Sequence, residues 1–290
     1  MKLLMTACLA LGSAASADAA TIFGVDENNN LVTFDSASPG TVLSSVRITS
    51  ADNASFQALD FRPRNNMLFG LSGDRVVYSI NPLTGAAAAI SGQLAIDGSF
   101  FGFDFNPTID RIRVVSNTNN NYVVNPDDGS LTGNPTTTNL AYAAGDRNAG
   151  RDPGVVAAAY TSSTFGAPGA STQLYVIDTD LDVLATQNNN GGVLNTVGSG
   201  LGFDLGSRTS FDIVGSDAFA FNGSTLYRVD LGTGALTRIG NTDRALFGIA
   251  IAPGAVPEPA TWAMMILGFG LVGSFMRRRQ RHPAVRFNFA

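Results

Sequence analysis

The chain has 290 residues, 44% of them hydrophobic and only 14% charged, with 32 glycines and a formal net charge of −5. The apolar content is enough for a core and excludes a disordered chain, while the shortage of Glu, Lys and Arg argues against surface helices. The acidic balance leaves no basic footprint for nucleic acid.

Residues 1–20 open with Lys2, continue through the apolar run 3–11 and reach the small-x-small triplet Ala17-Asp18-Ala19. That is the layout of a secretory signal peptide, passed through a Sec translocon and cut by signal peptidase. Removing it takes away Lys2 and Cys8, the only lysine and the only cysteine in the chain, and the only histidine, His282, lies beyond residue 255. The segment 21–255 therefore has no Ser-His-Asp or Cys-His nucleophile, no Schiff-base lysine and no Walker-type phosphate loop. It also has no His/Cys zinc site and no disulfide. It carries 12 arginines against 21 carboxylates, a net charge of −9.

From residue 21 the sequence reads as short strands of β-branched and aromatic residues cut by Gly, Pro, Asn and Asp. Residues 21–26 (TIFGVD), 31–35 (LVTFD) and 42–49 (VLSSVRIT) are the first three, separated by 27–30 and 36–40. Residues 59–85 show the repeating unit most clearly. LDF, MLFGL and VVYSI end at Arg62-Pro63, Ser72-Gly73-Asp74 and Asn81-Pro82, and a fourth run occupies 86–90. The next copy holds FGFDFNP (101–107), RIRVV (111–115), NYVVNPDDG (121–129) and a weaker run over 130–140. After a polar loop at 142–153 come VVAAAYT (155–161), QLYVID (173–178), VLATQ (183–187) and VLNTVG (193–198). SFDIVG (210–215), AFAFNG (218–223), TLYRVDLGTG (225–234) and ALTRIG (235–240) complete the last copy.

One strand, LFGIAIAP (246–253), is left over. It looks like the opening strand of a unit, and the first group lacks one. Joining the two ends gives five four-stranded meanders repeating roughly every 40–55 residues, which predicts an all-β, five-bladed propeller over residues 21–255, closed by the C-terminal strand pairing with the N-terminal blade. A β-sandwich or β-solenoid is the alternative, because the repeats are degenerate.

Past residue 255 the chain changes character. Pro257-Glu258-Pro259 precedes Trp262, an apolar stretch over 262–276 and the cluster Arg277, Arg278, Arg279 and Arg281. At about 1.5 Å per residue that stretch is short for a hydrocarbon core of roughly 30 Å, so it spans only with Trp262 and the arginines at the two interfaces. These residues resemble the bacterial PEP-CTERM sorting signal, in the variant with Trp-Ala after the motif. The resemblance implies that a membrane-embedded exosortase reads Pro257, Glu258 and Pro259 at the head of a signal over 256–281, and that the residues beyond the motif, with the tail 282–290, are then lost. It implies export, a transient inner-membrane anchor through a C-terminal hydrophobic helix, and delivery to the envelope or extracellular matrix. An anchor that is never cut is the alternative.

The folded region is similar to a family of bacterial exported domains of unknown function, family 4394. The resemblance is carried by FGFDFNPTIDRIRVVS (101–116), NPDDG (125–129), YAAGDRNAG (142–150) and VVAAAYT (155–161). It implies a propeller-like fold and supplies no activity.

Several residues are candidates for function. Asp60, Asp104 and Asp212 recur at one place in successive opening strands. The preferred reading is structural, a carboxylate bonding backbone amides or a neighbouring blade; the alternative has them line the channel and gather a cation. Asn/Asp-rich turns at 26–30, 117–121, 125–128 and 188–190 offer oxygens of the kind calcium accepts. None has EF-hand or nonapeptide spacing, so solvated turns are expected and no cofactor is called for. Arg111 and Arg113 alternate and share a strand face beside Asp104 and Asp110. They suit either a grip on a carboxylate or sugar, or, preferred, an inter-blade ion-pair network. Asp146 and Arg147 in the polar loop mark the expected binding face. The sequence thus points to a non-enzymatic binding or structural protein, with exopolysaccharide as the envisaged ligand. A hydrolase or lyase using paired Asp residues is the second reading, weakened because Glu27 is the only glutamate in 21–255.

Overall fold

How deeply each strand is buried follows from how continuously apolar it is. The structure, a computed structural model, describes residues 19–162, 166 and 172–253, without the side chains of 134–137. Strands β8 (Phe101–Asn106) and β13 (Val155–Tyr160) are buried at every position, as expected of strands covered on both faces. Strands β7 (Ala87–Ala89) and β20 (Leu236–Asn241) are largely open to solvent. This gradient sets the strand order from the inside of each sheet outwards.

Five sheets result. The first holds β21 (Leu246–Ile251), β1 (Thr21–Asp26), β2 (Asn30–Asp35) and β3 (Ser38–Arg47). The second holds β4 (Phe56–Arg62), β5 (Met67–Ser72), β6 (Val77–Ile80) and β7. In the third, β8 is followed by β9 (Arg111–Ser116), β10 (Asn120–Val124) and β11 (Leu131–Asn139). The fourth runs β13, β14 (Leu174–Asp178), β15 (Val183–Gln187), β16 (Val193–Val197), and the fifth β17 (Thr209–Val214), β18 (Asp217–Asn222), β19 (Thr225–Val229), β20. The inner strands pack in a ring, β4 on β8, β8 on β13, β13 on β17, β17 on β21 and β21 on β4. This is a five-bladed propeller, all-β and without a helix among the described residues. In the first blade β21 pairs antiparallel with β1, Ile251 opposite Ile22 and Ile249 opposite Gly24.

The core is divided among the seams between blades. One apolar cluster joins blades one and two through Val25, Leu31, Phe56 and Leu68. The next joins two and three through Phe69, Leu71, Phe103 and Phe105. Val115 of the third blade packs into the fourth with Leu174 and Val176, and Ile177 and Leu184 of the fourth pack on Phe211 and Ile213 of the fifth. Phe219 and Phe221 of the fifth meet Ile22, Phe34 and Ile249 of the first.

The turn into the outermost strand is the clearest repeat. In Asn81–Gly85, residues 125–129, 188–192 and 230–234, an Asn or Asp opens and a Gly closes, with the glycine N–H donating to the opening residue's carbonyl. Each glycine has φ between +66° and +72°, where a Cβ is strained. A Cβ on Gly85 would also lie 2.1 Å from Arg47 O, and one on Gly129 2.0 Å from Ser91 Cβ. The turns of blades two to five are thus pressed onto the outer-strand end of the blade before each.

Two elements differ from the sequence reading. β3 begins at Ser38 instead of 42, because its pairing with β2 is interrupted by irregularities around Phe34 and reaches back to Asp35. The loop expected from 142 starts with β12 (Ala141–Tyr142), which adds a parallel fifth strand outside β16. The signal peptide expected over 1–20, apart from residues 19 and 20, and the expected hydrophobic helix over 262–276 lie outside the described residues; among those described, no helix is long and apolar enough to cross a membrane.

Candidate functional site

Asp60, Asp104 and Asp212 hold one position in β4, β8 and β17, and their side chains turn toward the channel axis. Each is also a latch to the following blade. Phe61 N–H and Phe105 N–H donate to the two oxygens of Asp60, both at 2.7 Å. Tyr160 N–H donates to Asp104 Oδ1 at 3.2 Å. Ile213 N–H and Ile251 N–H donate to the two oxygens of Asp212, at 2.6 and 2.5 Å. The acceptors thus bind blades two to three, three to four and five to one. The pattern places Ala159 and Ala250 at the same point of β13 and β21, where no carboxylate can serve.

The structure brings all three carboxylates together. One oxygen from each lies within 4.8 Å of the others, and all three residues are buried. They line a cavity of about 20 Å³ walled by Phe61, Phe105, Ile213 and Ile251, room for roughly one water or one ion. Burial, then the charges of their neighbours, push Asp60 and Asp104 well above the usual carboxylate range. Burial raises Asp212 to about 6 against the opposing pull of its two amide bonds. Three carboxylates this close are not all ionised alone; they share protons or surround a hard cation. Calcium takes six to eight oxygens, of which these residues supply three directly.

The other sequence candidates sit elsewhere. Arg113 is buried, but its partners are neutral: Nε donates to Tyr160 Oη at 3.2 Å and Nη1 to Asn121 Oδ1 at 2.8 Å. Arg111, half-buried, donates to the carbonyl of Asp110 at 2.9 Å. The expected inter-blade ion pairs do exist around Asp110, with different cations. Arg62 reaches Asp110 at 2.5 Å and Asp127 at 2.8 Å, and Arg64 reaches Asp110 at 3.1 Å. Burial alone would raise Asp110; the two guanidinium groups bring it below its ordinary value. Strand alternation gave the face of Arg111 and Arg113, and the facing blade decided their partners.

Asp146 and Arg147 are structural pins. Asp146 accepts from Thr196 N–H at 2.6 Å and Thr196 Oγ1 at 2.7 Å, and Arg147 donates to Gly198 O at 2.5 Å. Both tie the 142–153 loop to the outer strand β16, and neither lines the channel cavities. The Asn/Asp turns behave as turns: Asp26 Oδ1 accepts from Asn28 and Asn30 N–H, and Asn29 has φ +61°. The sorting residues Pro257, Glu258, Pro259, Trp262, Arg277, Arg278 and Arg279 lie outside the described residues. Sequence reasoning missed Tyr160, which lines the acidic cavity, and the aromatic mouth at the other end of the channel, lined by Phe100, Phe101, Arg208 and Phe247.

A closed ring of five meanders with carboxylate latches on its axis defines a small β-propeller. Residues 30–250 match the family described as Domain of unknown function (DUF4394), and the chain belongs to that family. Residues 255–280 match the PEP-CTERM protein-sorting motif, which implies export, a membrane-anchored sorting stage and processing by an exosortase. No curated protein matches the chain.

Proposed function

We propose that this is an exported, non-enzymatic binding or structural protein, released by an exosortase into the cell envelope or extracellular matrix. The observation that carries the reading is the order of parts: β21 ends at Ile251 and the sorting-motif match begins at 255. A folded ring thus stands directly before the segment the exosortase reads. The signal peptide over 1–20 sends the chain out, the apolar stretch 262–276 holds it in the membrane, and the β21–β1 pairing keeps the released ring closed.

The site chemistry favours binding over hydrolysis. Paired-carboxylate glycosidases hold their carboxyl groups about 5–9.5 Å apart with a sugar between them. Here the three acidic side chains are drawn within 4.8 Å, accept backbone amides and enclose a cavity of about 20 Å³, too small for a sugar ring. Intact mass of the protein from its own host, measured separately in medium, matrix and membrane fractions, tests the sorting. A species ending near Pro259 outside the membrane is expected. A species retaining Arg281 in the membrane would replace this reading with that of an uncut envelope anchor.

A further inference from the structure

We infer that the channel mouth opposite the carboxylates is a binding site for a single acidic sugar ring, a hexuronate. The inference rests on the binding reading above and names its ligand. The mouth is a cavity of about 210 Å³ at the start of the inner strands, with residues from all five blades in its wall. That is below the roughly 300–1,000 Å³ of sites for drug-sized ligands, so it suits one ring with its substituents. It is a dead end. Deeper in, the wall is formed by the small residues Ala58, Gly102, Ala157, Ser210 and Gly248 around only about 20 Å³. A Cβ on Gly102 would lie 2.6 Å from Ala158 N, and one on Gly248 2.8 Å from Ala58 Cα.

Three features of the wall select the ligand. The first is charge. Arg208 is exposed, no lining residue is acidic, and among the described residues no carboxylate lies within ion-pair distance of its guanidinium. The guanidinium carbon is held 4.6 Å from the Phe247 ring centroid, so the fork is positioned before a ligand arrives. One pinned guanidinium in a domain of net charge −9 fits a monocarboxylate and disfavours a polyanion. The second feature is an apolar face: Phe100 is half-buried and Phe101 lies beside it, a surface for the C–H face of a pyranose. The third is a polar rim. Ser55, Ser99 and Ser207 are exposed around the opening, with the Gln57 amide between them and the floor. A planar aromatic acid would meet only the guanidinium and the rings, whereas a sugar also engages those hydroxyls.

The test is calorimetric titration of the full protein, purified from its host, with sodium D-glucuronate, D-glucose and benzoate. Glucuronate is expected to saturate one site, with glucose and benzoate each at least about tenfold weaker. Arg208→Gln should weaken glucuronate about tenfold to a hundredfold with an unchanged melting temperature, since the side chain is exposed. Arg147→Gln, on the outer edge of the fourth blade, should leave binding unchanged. Equal binding of glucose or benzoate, or an Arg208→Gln protein that binds as before, overturns the assignment. The two readings fail separately. Sedimentation with an uncharged polymer without glucuronate binding would remove this site and keep the binding role. Glucuronate binding accompanied by cleavage of a uronide polymer would keep this site and remove the non-enzymatic role.

Discussion

At the scale of single residues, the channel carboxylates make stability depend on pH in an unusual direction. Asp212 is raised from 3.8 to about 6, chiefly by burial, and Asp60, Asp104 and Asp178 are raised as well, burial again being the first cause. A carboxylate with a raised folded-state pKa binds its proton more tightly in the folded chain than in the unfolded one. Stability therefore falls as pH rises above 3.8, for Asp212 through a window that ends at about 6. For Asp212 alone the loss is about 3 kcal/mol, or roughly 6–12 °C in melting temperature for a domain this size. The opposing groups act lower: Asp26, Asp110 and Asp146 are shifted down, their hydrogen bonds and cations outweighing burial, and lose stability only below 3.8. Melting temperature should peak near pH 4 and decline through pH 4.5 toward pH 7. Asp212→Asn should reduce the slope while lowering the pH 4.5 value, because an amide nitrogen cannot accept the second backbone N–H. A flat or rising profile from pH 4.5 to 7 without added metal would mean the triad is not protonated as described. Repetition made these three residues legible in the sequence and offered their gathering on the channel as the alternative to a structural role; that they do both depends on the radius of the ring, which the sequence does not give. Arg208 was illegible for the opposite reason: Ser207-Arg208-Thr209 reads as a solvated loop, and only closure sets it beside Phe100 and Phe247.

At the scale of elements, the turn glycines carry more than local geometry. Gly85 sits at φ +72° and its missing Cβ makes room for the carbonyl of Arg47 in the preceding blade. Gly85→Ala should therefore cost both backbone strain and a displaced seam, about 2–3 kcal/mol, and lower the melting temperature by roughly 5–10 °C. Gly145→Ala is the control, since nothing lies within 4 Å of its would-be Cβ, and thermal denaturation of both proteins checks the contrast. Equal midpoints would show that the seam accommodates a methyl group. The Asn-Pro-x-x-Gly spacing could be read as a turn from sequence because Gly and Asn have distinct backbone chemistry. β12 could not, since two residues, Ala141 and Tyr142, show no periodicity and their pairing with Val193 and Leu194 is long-range. The blade count was legible from the orphan strand at 246–253, which only a ring can use.

At the scale of the molecule, the division of the core predicts how the protein unfolds. Each of the five apolar clusters draws on two adjacent blades, so no blade owns a core that would survive alone. A linear array of repeats loses its end units first, whereas a ring has no end unit once β21 lies on β1. The described residues should therefore unfold in one cooperative transition. Far-UV dichroism, which sees all blades, should coincide in urea with near-UV dichroism of the tyrosines, which include Tyr78, Tyr122, Tyr175 and Tyr227 in four different blades. Leu31→Ala at the seam of blades one and two and Phe211→Ala at the seam of four and five each remove a buried side chain, at about 2–5 kcal/mol. Both should move the whole curve to lower urea with an unchanged slope, because damage at either seam reaches every blade through the ring. Two separated transitions, or a midpoint shift confined to one probe, would show that the seams act as independent units and that closure does not couple them.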